Sequence, residues 1–153
     1  MEKYSHGPFE ISGYQVTIPD PSSEMDIIMS AWRRWFTENM ADLVIEKESP
    51  WLHAVYYNYH DSTDMNKKWY DMVIGYMTRT WAIQKDPSIT TVQIPAQDYR
   101  YTTLTDISPE SIFGTWKEIN HTPQPELARS YGYDLDMYNA DHTELTIAVS
   151  VTE

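Results

Sequence analysis

The chain has 153 residues, 41% of them hydrophobic, which suits one domain (1–153) with an ordinary core. Its 23 acidic residues against 11 Lys and Arg give a net charge of −12. This argues against nucleic acid or an anionic membrane surface as the main partner, since both need clustered basic side chains. There is no cysteine, which excludes disulfides, cysteine-ligated zinc and cysteine nucleophiles. Neither an apolar signal segment nor a run of about 18 apolar residues occurs, so we expect a cytoplasmic protein.

The first half predicts a strand, a helix and two further strands. These are a strand at 8–18, a helix at 24–43 and strands at 52–60 and 69–77, the last two joined by the polar loop 61–68. The helix is indicated by Ile28, Trp32 and Trp35, which recur at helical spacing.

The second half predicts the same order of elements. It has an extended run at 90–105, a helix at 108–120, and strands at 131–139 and 143–151 joined by a turn at 140–142. Ser108 is a good N-cap for the helix, with Pro109 as its first residue.

The two halves also match locally, because Trp32 corresponds to Trp116 and Asp71 to Glu144. A β-α-β-β unit used twice, at about 8–80 and 88–153, is the simplest interpretation. We therefore predict an α+β fold with a mainly antiparallel sheet, two helices on one face and a cleft between the halves.

Glu144 stands at the head of the last predicted strand. Leu145, Ile147, Val149 and Val151 alternate with Thr146, Ala148 and Ser150, so the second face of this strand is small. Glu144 is then either a solvated acid at a strand end or a partly buried counter-charge in a pocket. In the second case its small neighbours would make room for a ligand, and the carboxylate would require a cation or hydrogen-bond donors.

Asp71 and the aromatic side chains allow similar alternatives. Asp71 is either a surface acid beside the 61–68 loop or a buried acid, since Asp is disfavoured in strands. The aromatic candidates for a ligand site are Trp32, Tyr56, Trp69, Trp116 and Tyr133. They either pack in the core or, together with an acid, hold an organic cation.

Motifs of cofactor and metal chemistry are missing. The His142-Thr143-Glu144 motif lacks the cysteines that zinc deaminases require. The acid-rich runs 61–66 and 134–142 do not have calcium-loop spacing, and we interpret both as polar turns. There is no glycine-rich phosphate-binding motif either. We therefore expect neither a cofactor nor a metal.

Several segments resemble the gyrase-inhibitor-like effector-binding domain of AraC-type and multidrug-sensing transcription regulators. They are Ile94-Pro95-Ala96 followed by Tyr99, the run Glu144 to Val149, and the strand-like segments of the first half, so the similarity covers nearly the whole chain. The resemblance implies a duplicated β-α-β-β fold with an aromatic cleft and an acid, at the position of Glu144, that meets cationic lipophilic compounds. Departures at Gln97 and Ala148 affect loop shape and hence ligand preference.

The resemblance and the charge together suggest a stand-alone binding module without a DNA-binding domain, encoded on a mobile gene cassette or beside a regulator. Its expected partners are cationic or amphipathic small molecules. The first alternative is a hydrolase of reactive electrophilic compounds in which Glu144 activates water. The second is a protein-interaction or gyrase-inhibitor-like role, with a protein partner or a homodimer.

Overall fold

A computed structural model describes residues 1–61, 68–123 and 126–152. The strands are β1 (Glu2–His6), β2 (Phe9–Ile18), β3 (Lys47–Asp61), β4 (Lys68–Thr78), β5 (Thr90–Ile94), β6 (Gln97–Leu104), β7 (Asp134–Tyr138) and β8 (Leu145–Val151). The helices are α1 (Glu24–Thr37) and α2 (Pro109–His121), and a short 3₁₀ helix spans Met40–Leu43. Most of the polar loop predicted at 61–68 lies outside the described residues.

The strands of the described residues form one antiparallel sheet in the order β1-β6-β8-β7-β3-β4-β2-β5. The units β2-α1-β3-β4 and β6-α2-β7-β8 occupy mirrored places around the central β7–β3 pair. This arrangement confirms the predicted α+β fold and its duplicated unit.

Two short connections link strands at or next to opposite edges of the sheet, and they approach each other at Gly7 and Ala96. Only Pro95-Ala96 joins β5 at one edge to β6 near the other, and Gly7-Pro8 joins β1 to β2 in the same way. Gly7 has φ +139°, and a Cβ atom there would lie 2.3 Å from Ala96 Cα, so only glycine fits this crossing. The inner, concave face encloses a core to which both β2 and β6 contribute, through Phe9 and Tyr99.

Both helices pack on the outer face of this sheet, as predicted. Helix α1 buries Ala31 and Trp35 against β2 and β4, whereas α2 packs Ile119 against the apolar side of β8. Ser108 Oγ accepts a hydrogen bond from the Ser111 amide at 3.3 Å, which confirms the predicted N-cap. No helix in the described part of the chain is long and apolar enough to cross a membrane.

Several predicted boundaries are corrected. The helix predicted at 24–43 stops at Thr37, because Asn39 adopts a left-handed conformation (φ +49°) before the 3₁₀ helix. Pro95-Ala96 divides the extended run 90–105 into the edge strand β5 and the strand β6, which lies next to the other edge, and β1 was not predicted. The strand predicted from 131 begins at 134, after Tyr131 with φ +53°.

Two glycines give a matched test of this packing. A Cβ at Gly75 would lie 2.1 Å from the Ser12 carbonyl oxygen, whereas nothing lies within 4 Å of a Cβ at Gly114 in α2. We expect Gly75→Ala to destabilise the protein by about 1–3 kcal/mol, because a backbone atom must move. Gly114→Ala should stabilise it by up to about 1 kcal/mol. Urea denaturation measures both changes, and equal stabilities would contradict the described β2–β4 contact.

Candidate functional site

A cavity of about 920 Å³ lies between the two helices, over the outer face of the sheet. Helix α1 forms one wall, α2 forms the opposite wall, and side chains of β3, β4 and β7 form the floor. Because the two helices belong to different repeat units, the cavity lies between the halves, as the fold prediction requires.

Aromatic rings dominate this cavity. They are Trp32, Tyr56, Tyr59, Tyr70, Phe113, Trp116, Tyr131 and Tyr138. Tyr56 meets Trp116 edge to face at 5.5 Å between ring centroids, and Trp32 meets Tyr138 in the same way at 5.7 Å. Contacts of this kind orient rings and leave flat faces available to an aromatic or cationic guest.

Asp136 on β7 supplies a buried carboxylate at the floor of the cavity, with 3% of its surface exposed. The Tyr56 hydroxyl donates to Oδ2 at 2.8 Å, and Trp116 Nε1 donates to Oδ1 at 3.1 Å. Burial raises the pKa of Asp136 to about 7, although both hydrogen bonds oppose the rise, and the charge of Asp134 adds to it. No cation pairs with Asp136 within the described ranges.

Asp134, two residues earlier, has a different environment. Arg129 Nη2 pairs with its Oδ2 at 2.7 Å, and both side chains are buried. The Tyr59 hydroxyl donates to the same oxygen at 2.6 Å. Asp134 is therefore neutralised by a protein cation, which Asp136 is not, and the two neighbouring acids differ in what they offer a ligand.

A second acid reaches the cavity from α1. Glu24, in the first turn of the helix, accepts a hydrogen bond from the Tyr70 hydroxyl. Burial raises the pKa of Tyr70 strongly, so the phenol remains protonated and donates. The basic side chain on the opposite wall, Lys117, is exposed on α2. The acidic groups thus lie on the floor and the α1 side.

The structure brings three of the predicted site residues together. Trp32 of α1, Tyr56 of β3 and Trp116 of α2 all line the cavity. Their convergence follows from the repeat, because Trp32 and Trp116 occupy corresponding helices that face each other across the floor. Their roles towards a ligand remain proposals.

Three other candidates point to the opposite face of the sheet. Asp71 is buried there and accepts hydrogen bonds from Thr17 and Asn58. Tyr133 stacks on Tyr57 at 5.5 Å in the concave core. Trp69 stacks on His60 at 3.8 Å near the end of β4. None of the three is among the described residues that line the cavity.

The structure places Glu144 at the surface, as in the first of the two alternatives considered for it. It is exposed in the β7–β8 turn, where its amide donates to Asn139 Oδ1 at 3.1 Å, and it lies outside the lining of the cavity. Alternation explains this placement, because Leu145 and Ile147 face α2 and the intervening small side chains face the concave side. Ala148 therefore packs in the concave core and does not line the cavity.

Residues 134–138 form β7, in agreement with the strand predicted at 131–139, so the polar-turn interpretation of the run 134–142 is corrected. Asp134 and Asp136 alternate there with Leu135 and Met137, whose side chains belong to the concave core. The sequence contained this signal, since two Asp residues at period two in a strand must share a face and require partners. The proposed turn at 61–66 falls mostly outside the described residues.

Comparison with known proteins identifies the class. The overall structure is similar to an integron cassette protein, VCH_CASS2, from the mobile metagenome of Vibrio cholerae (TM-score 0.73, 19% identity, 98% of this chain and 94% of that chain). It is also similar to SAV2435 bound to tetraphenylphosphonium (TM-score 0.75, 12% identity, 99% and 93% of the two chains). A third match is a transcription regulation protein from Staphylococcus aureus MU50 (TM-score 0.71, 13% identity, 99% and 97%).

The fold is therefore that of the gyrase-inhibitor-like effector-binding domains. More specifically, residues 6–151 match the model of the integron-associated effector-binding proteins, and the chain belongs to that family. Membership supports small-molecule binding as its role. A comparison with curated proteins found no match.

The raised pKa of Asp136 predicts a pH-dependent cost in stability. Between pH 4 and 7 the folded state keeps a proton that the unfolded state has lost, so this group destabilises the fold as pH rises through that window. Asp136→Asn removes the titration. We expect the stability of the variant relative to the native chain to increase between pH 4.5 and pH 8 in urea titrations. Parallel stability curves would contradict the assignment.

Proposed function

We propose that the protein binds cationic, lipophilic aromatic compounds in the cavity between α1 and α2. One observation carries the proposal: the buried Asp136 carboxylate has two hydrogen-bond donors, and no cation pairs with it in the part of the chain that the structure describes. A buried charge without a counter-ion is costly, and a cationic ligand would offset that cost.

The aromatic wall supports the same class of ligand. Trp32, Tyr56 and Trp116 present rings from both helices and the floor around the acid. A desolvated cation–π contact contributes up to about 2 kcal/mol, so several rings beside one carboxylate favour delocalised cations over small hydrated ones. The relative that binds tetraphenylphosphonium supplies a suitable probe, although its sequence is only 12% identical.

The charge of Asp136 can be tested against a surface acid. Tetraphenylphosphonium should quench the fluorescence of Trp32 and Trp116, and calorimetry should give its affinity. We expect Asp136→Asn to lower that affinity about 10- to 100-fold, since a hydrogen bond or contact to a buried charge contributes about 1.5–3 kcal/mol. Neutral triphenylphosphine oxide should bind weakly to the native chain and be little affected by the substitution.

Glu144→Gln is the matched control, because it changes the net charge by the same amount on an exposed side chain outside the cavity. We expect native affinity in this variant. If both substitutions weaken binding equally, long-range attraction by the acidic surface explains affinity and the specific role of Asp136 is wrong. If the native chain does not bind the cation, the proposed function is wrong.

Binding should also depend on pH, because only the ionised carboxylate attracts a cation. With the pKa of Asp136 raised to about 7, the ionised fraction grows as pH increases from 6 to 8. Affinity for tetraphenylphosphonium, a permanent cation, should rise by up to about tenfold over this range. Asp136→Asn should remove most of this rise in affinity. If the affinity of that variant rises with pH as steeply as that of the native chain, another group causes the pH dependence.

The hydrolase hypothesis required Glu144 as a base in a desolvated site. Its exposed position in the β7–β8 turn does not supply such a site. The described structure therefore favours binding in the cavity over chemistry at Glu144.

A further inference from the structure

Strand β3 contains one extra residue opposite β4, at the floor of the cavity. Tyr57 pairs with Asp71 and His60 pairs with Trp69, so the register shifts by one residue between the two pairs. Asn58 lies in the shift and has φ +59°, a left-handed conformation. This is a β-bulge, which changes the face to which the following side chains point.

The bulge places Tyr59 in the cavity. Tyr56 and Tyr59 both line it, whereas Tyr57 faces the concave core. In an uninterrupted strand, Tyr59 would share the face of Tyr57. Instead its ring lies 5.3 Å from that of Tyr70, and its hydroxyl bonds to Asp134.

Asp71 stabilises the bulge from the opposite face of the sheet. Its Oδ2 accepts a hydrogen bond from Asn58 Nδ2 at 2.9 Å, and its Oδ1 accepts one from Thr17 Oγ1 at 2.6 Å. Asp71 is buried on β4, between β2 and β3, so one carboxylate joins three strands at the bulge. Asn tolerates a left-handed conformation better than most residues, and this hydrogen bond fixes its side chain.

We propose that Asp71 and Asn58 are positioning residues that turn Tyr59 into the cavity and so set its shape for aromatic ligands. The effect on ligand affinity rests on the proposed function. The position of the Tyr59 ring does not, and it can be measured without a ligand.

The first test removes the acceptor for Asn58. Asp71→Leu should lower tetraphenylphosphonium affinity about tenfold and abolish the Tyr59–Tyr70 ring contacts seen by nuclear Overhauser effects in tyrosine-labelled protein. Thr17→Val is the matched control, because it removes the other hydrogen bond to Asp71 and leaves the one from Asn58. Thr17→Val should keep both the affinity and the ring contacts.

The second test changes Asn58, whose backbone is left-handed. It tests the positioning role independently if Asp71→Leu fails to fold. Asn58→Gly can keep the left-handed conformation, so affinity and ring contacts should stay within about threefold of native values. Asn58→Val disfavours that conformation and should weaken binding about tenfold. The same pair at Asn39, whose φ is +49° after α1, imposes similar strain outside the cavity lining and should alter stability but not affinity.

The outcomes separate the two proposals. Failure of the native chain to bind tetraphenylphosphonium contradicts the proposed function, while the ring contacts still test the positioning role. Native ring contacts in both Asp71→Leu and Asn58→Val would overturn the positioning role, whatever the affinity. Lost contacts with unchanged affinity would show that Tyr59 does not shape the binding site.

Discussion

Both helices pack on one face of a continuous sheet, and this constraint decides which side chains can reach a ligand. A strand residue faces the cavity only if its alternation points it towards the helices. Asp136 and Tyr138 satisfy the condition on β7, whereas Leu135 between them packs in the concave core. The helix face carries the aromatic cavity, whereas the concave face packs a core of buried side chains.

The carboxylate of Asp136 illustrates the cost of such a site. Burial disfavours its charge and raises its pKa to about 7, although Tyr56 and Trp116 donate hydrogen bonds to it. Asp134, in contrast, is paired with the buried Arg129. Pairing Asp136 in the same way would relieve the desolvation but would also consume the charge that the proposed ligand needs. The unpaired carboxylate of Asp136 therefore costs the fold more free energy than the paired carboxylate of Asp134. Its charge remains available to a cationic ligand.

Much of the fold was accessible from sequence because it depends on periodic patterns. The spacing of Trp32 and Trp116 predicted equivalent helices, and the repeat predicted a cleft between two halves, which the structure contains. Asp136, the acid in the cavity, was not identified from the sequence. The alternating strand after Glu144 was recognised, but the sequence does not tell which face of that strand the helices cover. Asp136 shows the same alternation on β7, a strand that was predicted, but its acid-rich run was also interpreted as a polar turn and Asp136 was not considered as a site residue.

Bulges lie beyond the reach of such patterns. A single extra residue at Asn58 reverses the face of Tyr59. Asn tolerates the left-handed conformation, but one Asn in a run of strand-forming residues does not by itself predict such a reversal. The pairing of Asp71 with Thr17 and Asn58 becomes visible only when three strands are placed side by side. The structure therefore contains a cavity lined by aromatic rings, and which rings line it depended on backbone register.

Because the fold is duplicated, the two walls of the cavity resemble each other. The two halves of its floor differ. Trp32 and Trp116 contribute rings from corresponding helices, so the two walls offer an aromatic guest comparable surfaces. The floor differs, because β3 contributes Tyr56 and Tyr59, whereas β7 contributes Asp136 and Tyr138. A flat cation between the walls would then meet its strongest electrostatic partner on one side only. The backbone repeat thus supplies two similar walls, whereas the side chains of the floor differ between the two halves.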